Sequence, residues 1–370
     1  MNGTGTAPLR VAHLDSGRAW RGGQAQVLLL LKGLARRGVS NTLLAPRGPL
    51  LEHAQHDGFE TRAWSPLSDL DGFALIRAVA LLRRIGPDVV HCHDGRSHAV
   101  GVPAARFAGV GAVVVSRRVA VPVGVGIWSV LKYRMPVDRY LCVSRSVLET
   151  MRRAGLPEER LALVRSGVSQ ETPREAADLR WLAGVPAGCP VVLTVGALTP
   201  EKRHEDLLEA AVAVTAVSDA HFVWLGDGPR RKWLERRRAD LGLDPRVHVL
   251  GFRSDARALV AQASVVALAS ELEGLSTSLM DASAAGVPVV ATAVGGVPEV
   301  VADGESGRLV AARDPAALAG ALIEVLTRAD LREAWGAKGR ERAGEFHIDR
   351  TVDHTLREYF SLLGRGEAAA

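Results

Sequence analysis

Residues 190–225 read PVVLTVGALTPEKRHEDLLEAAVAVTAVSDAHFVWL, and this stretch decides the architecture. Residues 190–196 form a continuous apolar run, the mark of a strand buried on both faces. Residues 203–217 carry a helical pattern, and residues 221–225 are a second buried strand. Strand, helix and strand in so short a span require a parallel pair joined by a crossover. The series continues with a charged helix at 230–241 and strands at 247–250, 264–267 and 287–291.

The same grammar fills the first half. Strands are predicted at 9–14, 41–45, 88–93, 112–116 and 140–144, with helices at 24–37 and 74–85. Pro173, Gly184, Pro186 and Gly188 cluster around residues 169–187, between the two series, and read as a linker. The 370 residues therefore divide into an α/β domain at 1–169 and another at 170–348, with a last helix at 349–363. Each is doubly wound and Rossmann-like. Ligands of such sheets bind beyond the carboxyl ends of the strands, and the expected site is an interdomain cleft.

Composition excludes several classes. Charged residues are 24% and hydrophobic residues 47% of the chain, a globular balance. No apolar run reaches the roughly 18–20 residues of a membrane span. The start, MNGTGT, lacks the pattern of a signal peptide, so a cytoplasmic protein is expected. Cys92, Cys142 and Cys189 are too few and too scattered for a disulfide framework or a zinc knuckle. The net charge of +5 suits a phosphorylated substrate, nucleic acid or an anionic membrane surface and chooses none of them, while aromatics at 5% argue against stacking platforms for single strands.

Four loops carry chemistry. Ser16–Gln24 (SGRAWRGGQ) joins the first strand to the first helix. Gly22 and Gly23 there let amides approach an anion at a helix start; the plain alternative is a turn. After the strand at 190–196 comes Gly196-Ala197-Leu198-Thr199-Pro200-Glu201-Lys202-Arg203. Cations at a helix N-terminus oppose its dipole, so Lys202 and Arg203 point to a bound phosphate. Gly226-Asp227-Gly228 reads as a tight turn. The most specific stretch, SELEGLSTSLMDASAAGVPVV at 270–290, places Glu273 before Gly274, Leu275, Ser276 and Thr277. Those amides begin a helix and offer a phosphate site, while Asp281 lies inside it. Asp69-Leu70-Asp71 matches an Asp-x-Asp metal pattern but sits in a Ser/Gly loop, and it is read as loop. His91 and His93 share one face of a strand end, with Asp94 following. No second His/Asp cluster accompanies them, and no metal is assigned.

On these residues the chain resembles retaining glycosyltransferase family 4, of GT-B fold, over essentially its whole length. Gly22-Gly23-Gln24 looks like that family's glycine loop. Lys202 stands where the family has a diphosphate-binding lysine, and Glu273 to Asp281 where it has Glu-x7-Glu. Residues 286–310 (GVPVVATAVGGVPEVVADGESGRLV) are strongly family-like. Ser116-Arg117-Arg118-Val119 and Leu131-Lys132-Tyr133-Arg134 resemble a bacterial branch acting on polysaccharide, lipopolysaccharide or secondary-metabolite acceptors. The family often has Arg at Ala197, which Arg203 replaces; Glu where this chain has Asp281; and a histidine near Arg117.

The resemblance implies transfer of a sugar from a nucleotide diphosphate sugar, with UDP-sugar favoured, to a hydroxyl acceptor, with retention. The nucleotide sugar is then a co-substrate, and no cofactor or metal is implied. Gly196, Lys202, Arg203, Arg253, Glu273, Asp281 and the Gly274–Thr277 amides would hold the donor, with Gly22 and Gly23 opposite. Glu273, Lys202, Arg203, His93, Asp94 and Arg117 are the expected residues near the reacting centre. The last helix is expected to cross back onto the first domain. Two rivals are a sugar-nucleotide 2-epimerase and a non-catalytic nucleotide-sugar binding module. Residues 121–134 (VPVGVGIWSVLKYR) suggest peripheral membrane contact if the acceptor is lipid-linked.

Overall fold

The computed structural model describes residues 8–124, 126–169 and 177–365. Two compact units emerge: Met1–Gly167 with Ile348–Ala370, and Val168–His347.

The first unit is a seven-stranded parallel sheet. Its strands are β1 (Arg10–Leu14), β2 (Ser40–Ala45), β3 (Glu60–Ala63), β4 (Val89–Cys92), β5 (Ala112–Arg117), β6 (Arg139–Cys142) and β7 (Leu161–Leu163). Their order is β3-β2-β1-β4-β5-β6-β7. The second unit has six parallel strands: β8 (Val191–Val195), β9 (His221–Leu225), β10 (Val247–Gly251), β11 (Val265–Leu268), β12 (Val289–Thr292) and β13 (Gly307–Val310). Their order is β10-β9-β8-β11-β12-β13. Central strands such as β4, β9, β11 and β12 are buried along their whole length, because helices cover both faces of a parallel sheet.

Two strands, β3 and β13, carry no such signal in the sequence, β7 is too short to stand out, and all three lie at sheet edges. β3 is ETRA, with every second residue exposed. β7 is three residues long, and β13 is GRLV, half-exposed at its centre. An edge strand covered on one side has no need of an unbroken apolar run.

The order of strands reverses between β1 and β4 in the first sheet, and between β8 and β11 in the second. These two switch points, at the carboxyl ends of the strands, are where such sheets bind ligands.

Helix Ile348–Leu362 belongs to the first unit. Ile348, Val352, Leu356, Tyr359 and Phe360 are buried in one cluster with Leu30, Leu34, Val89 and Val114, the i, i+4 spacing of a single helix face. A side chain at Gly33 would place its Cβ 2.3 Å from Val352 Cγ2, so glycine permits close packing of this helix on helix Gly22–Arg36. Arg37 adds an ion pair to Asp353 at 2.6 Å. The crossing expected of the last helix is thus present, and the two-sheet architecture is that of GT-B.

Candidate functional site

In the second unit the loops after β8 and β11 meet at the switch point. The Glu271 amide donates to the Glu201 carbonyl at 2.8 Å, tying the two loops together one residue from Lys202 and two from Glu273. The Lys202 ammonium pairs directly with Glu273 Oε1. Ser270 Oγ donates to the same oxygen at 2.8 Å, and Glu273 is buried.

Two glycines hold these loops. A Cβ at Gly295, where φ is +54, would fall 1.8 Å from the Glu273 carbonyl oxygen. A Cβ at Gly226 would fall 1.8 Å from the Gly196 carbonyl oxygen. The Gly226-Asp227-Gly228 turn is therefore a support for the β8 loop, and Asp227 pairs with Arg231 at 3.0 Å.

Beyond Glu273 the chain enters helix Thr277–Ala285. Its N-cap, Ser276, makes no capping hydrogen bond. Among the described residues, no acceptor meets the amides of Gly274, Leu275, Ser276 or Thr277. Open amides, the positive end of the helix and an ammonium together make an anion-binding corner with an acid at its rim.

The other donor-side candidates lie differently. Arg203 has left-handed backbone, φ 50, and its guanidinium is committed to Asp206 at 2.7 Å and Glu205 at 3.1 Å. It holds the start of helix His204–Thr215 and leaves Lys202 as the cation turned to Glu273. Arg253 is clamped by Asp255 through two contacts of 2.8 Å. Asp281 lies 3.0 Å from Arg257 Nε. Burial pushes its carboxyl up to about 6 against the opposing pull of Arg257.

In the first unit, the switch point gathers residues from β1, β4 and β5. Gly22 and Gly23 form the first turn of helix Gly22–Arg36, whose N-cap, Arg21, makes no side-chain cap. Asp94 proves to be a structural keystone. It caps helix Gly95–Ala108 through the Arg96 and Ser97 amides at 2.9 and 3.0 Å. It also receives both the amide and the hydroxyl of Ser16 at 2.5 Å.

His13, His91 and His93 are buried together, with ring nitrogens within 4.8 Å of one another. Their hydrogen bonds run in one direction. Asn41 spends its amide N–H on the Val39 carbonyl at 3.0 Å, so its Oδ1 accepts from His13 Nε2 at 3.0 Å. His13 Nδ1 then accepts from His93 Nε2 at 3.0 Å, and His93 Nδ1 is left to accept from Arg118 at 3.3 Å. Burial holds His13 down at about 4 and His93 well below its ordinary range. His91 bonds Tyr359 at 2.6 Å and Ser116 at 2.8 Å. Every imidazole nitrogen in this cluster is engaged by protein.

Arg117 turns away from this cluster. It donates to the Val121 carbonyl at 2.6 Å and lies 5.7 Å above the Tyr133 ring. Its neighbour Arg118 reaches the switch point, with its Nε buried and unpartnered. Successive residues at a strand end point to opposite sides, so the choice between the two needs the register of β5. Asp15 is the other residue the sequence reading passed over. It follows β1 directly, is buried, and accepts from the Gly17 amide at 2.7 Å and Gln24 Nε2 at 3.1 Å. Burial first, then Asp94, raises its carboxyl to about 6. A lone acid immediately after a buried strand, at the first strand–helix turn, was a signal available in the sequence.

Residues 20–172 match the family described as Glycosyltransferase Family 4, and residues 178–342 match glycosyl transferases group 1. Together the two matches span most of the chain and support a glycosyltransferase of family 4 type. Among family relatives, the lipopolysaccharide core biosynthesis glycosyltransferase LpsE of Rhizobium meliloti is 26% identical over 94% of this chain and 98% of its own length. The D-inositol 3-phosphate glycosyltransferase of Geodermatophilus obscurus is 36% identical over 58% of this chain, which spans half the length of that relative. The fold matches Anabaena Alr3699/HepE, solved in complex with UDP and glucose, at TM-score 0.83 and 19% identity over 95% of this chain and 99% of that one.

Proposed function

We propose that this family 4 enzyme transfers a sugar, with retention, from a UDP-sugar to a hydroxyl of a glycan, glycolipid or secondary metabolite. The observation that carries the reading is the Lys202–Glu273 pair beside the open amides of Gly274–Thr277. A diphosphate meets these amides and the Lys202 ammonium, whose charge is complementary to the leaving group. Glu273 takes hydroxyls of the donor sugar, and Asp281 those of the ribose. The acceptor binds at the first unit.

No strong nucleophile is required. The acceptor oxygen bonds to the anomeric carbon on the face that the diphosphate leaves, and its proton passes to the departing phosphate oxygen. Charge on that oxygen is met by Lys202 and amides, so the reaction is read as independent of metal. The UDP complexes of Anabaena HepE and the core-glycan role in the name of LpsE support the choice of donor and acceptor class. The relatives described are transferases, which favours transfer over epimerisation. Three free thiols, Cys92, Cys142 and Cys189, suit a reducing, cytoplasmic setting.

A thermal-shift panel of nucleotides and nucleotide sugars tests the donor, since a ligand of the native state raises the melting temperature by mass action. UDP and at least one UDP-sugar are expected to stabilise the protein. Donor consumption that rises with acceptor supports transfer, and conversion to a 2-epimer without acceptor rejects it. A panel in which no nucleotide shifts melting and no donor is consumed overturns the reading.

A further inference from the structure

Four large apolar side chains stand in solvent within ten residues of the first unit. Leu67 is 72% exposed, Leu70 69%, Phe73 90% and Ile76 67%. They recur every third residue, from the turn after β3 into the first turn of helix Gly72–Ile85. That helix buries Ala74, Ala78, Leu82 and Ile85 against the core, which leaves Phe73 and Ile76 on its outer face. Single exposed apolar residues need no explanation, but a contiguous group of this size does.

The segment is fixed in place by bonds at both ends. Asp71 caps the helix by accepting from the Ala74 amide at 2.9 Å, and its other oxygen accepts from the Leu67 amide at 2.9 Å. Buried Trp64 donates to the Ala74 carbonyl at 2.9 Å. Lys132 holds Asp69 at 3.1 Å. The Asp69-Leu70-Asp71 motif therefore serves as a cap and an ion pair, and its effect is to present Leu70 and its neighbours outward.

The charge around this apolar tip is positive. Arg18 donates to Ser65 at 3.3 Å, Arg96 to the Pro66 carbonyl at 3.5 Å, and Arg77 is exposed one turn beyond Phe73. The two carboxylates of the segment are already committed, to Lys132 and to the helix start. An apolar tip ringed by cations complements the acyl boundary beneath anionic headgroups. A second copy of the chain docking by the same patch would bring these like charges together. Among the described side chains of residues 121–134, Val121 is 41% and Leu131 46% exposed. Val125 and the side chains of Ile127 and Trp128 lie outside the described residues.

The position is informative as well. Lys132 Nζ lies 3.4 Å from where a Cβ on Gly95 would stand, beside the helix start capped by Asp94. The patch thus borders the carboxyl edge of the first sheet, near its switch point.

We propose that Leu67, Leu70, Phe73 and Ile76 form an interfacial wedge that docks the first unit on an anionic lipid bilayer. The benefit to the enzyme rests on the transferase reading above: a lipid-linked hydroxyl acceptor would be met at the membrane surface. Flotation with vesicles tests the wedge, using phosphatidylcholine alone or mixed with phosphatidylglycerol at low salt. The wild-type chain is expected to float with the anionic vesicles only. Leu70→Ser with Phe73→Ser should lower that partition about tenfold or more, and Arg77→Gln several-fold. Donor turnover in solution should be unchanged in both variants, which also reports that they are folded. A wild-type chain that does not float overturns the wedge. So does flotation that survives the double substitution, or a double substitution that instead turns a dimer into a monomer. If the wild type floats but never consumes a donor, the transferase reading fails while the wedge stands.

Discussion

Lys202 and Glu273 are joined directly, although 71 residues separate them in the chain. On the proposed reading, Glu273 holds the same ammonium that a donor diphosphate would claim. A donor bound in that way would exchange one partner of Lys202 for another and free the Glu273 oxygen for sugar hydroxyls.

The two side chains should therefore respond differently to substitution. Lys202→Met removes the charge that faces the phosphates, and UDP affinity is expected to fall about ten- to a hundredfold. Glu273→Gln keeps the shape but weakens the contact to the reacting sugar, so kcat should drop while UDP binds within a few fold. Calorimetry with UDP beside initial rates reads both. Loss of UDP binding in Glu273→Gln with none in Lys202→Met reverses the assignment.

Metal removal gives an independent check. If Lys202 and the Gly274–Thr277 amides meet the diphosphate charge, transfer should persist in excess chelator. Complete loss with EDTA, restored by manganese or magnesium, would direct attention to His13, His91 and His93.

Arg118 and Arg117 are adjacent in sequence and unequal in place. Arg118→Ala removes the cation held by His93 at the switch point, and kcat/KM should fall about ten- to a hundredfold. Arg117→Ala loses a carbonyl bond and a ring contact on the periphery and should change kcat/KM by less than about threefold. Equal effects would show that the first-unit site is centred elsewhere.

Gly295 tests how tightly the Glu273 loop is specified. Alanine there needs left-handed backbone and collides with the Glu273 carbonyl, so a destabilisation of about 2–4 kcal/mol is expected, with activity lost more than tenfold. Gly320 is a matched control: it lies in helix Pro315–Thr327 with nothing within 4 Å of an added Cβ. Gly320→Ala should gain about 0.5–1 kcal/mol and leave rates alone. Urea unfolding and initial rates on the same preparations decide it.

Asp15 gives a pH dependence of known sign. Its carboxyl is raised from 3.8 to about 6, so the folded chain holds this proton more tightly than the unfolded chain. Below pH 3.8 both states are protonated and the group is neutral to stability. As pH rises through the window to about 6, the wild type loses stability relative to Asp15→Asn, by at most about 3 kcal/mol. Thermal melts of both proteins across that range should diverge as pH increases. Convergence would mean that Asp15 is ionised at no expense in the fold.

The interior of the fold was legible and its edges were not. Strands such as β4, β9 and β12 announce themselves because a doubly covered strand must be apolar throughout. β3 and β13 are invisible to that rule because neither is buried throughout, and β7, though apolar, is only three residues long. At the site, Lys202 and Glu273 stood out because a cation at a helix start and an acid beside a buried run are both unfavourable without a purpose. Their mutual contact was not foreseeable, because it depends on the Glu271–Glu201 backbone bond between loops remote in sequence. Arg203 and Arg253 carry the positive charge that a phosphate-binding residue needs, and only geometry reveals that Asp206 and Asp255 already hold them. Arg117 is the position that aligns with the family's histidine, but a sequence carries no sign of which side of the strand end faces the switch point, and Arg118 is the one that reaches it.

The helix Ile348–Leu362 bears on how the molecule is made. Synthesis delivers residues in order, and the unit Val168–His347 is one unbroken stretch that can close as soon as it has emerged. The earlier-made unit cannot, because Val352, Leu356, Tyr359 and Phe360 follow the whole of the second unit in the chain. The half translated first is therefore finished last, and until then its nascent sheet keeps apolar surface open to chaperones. Loss of this helix would therefore cripple the oldest part of the chain and spare the unit made after it.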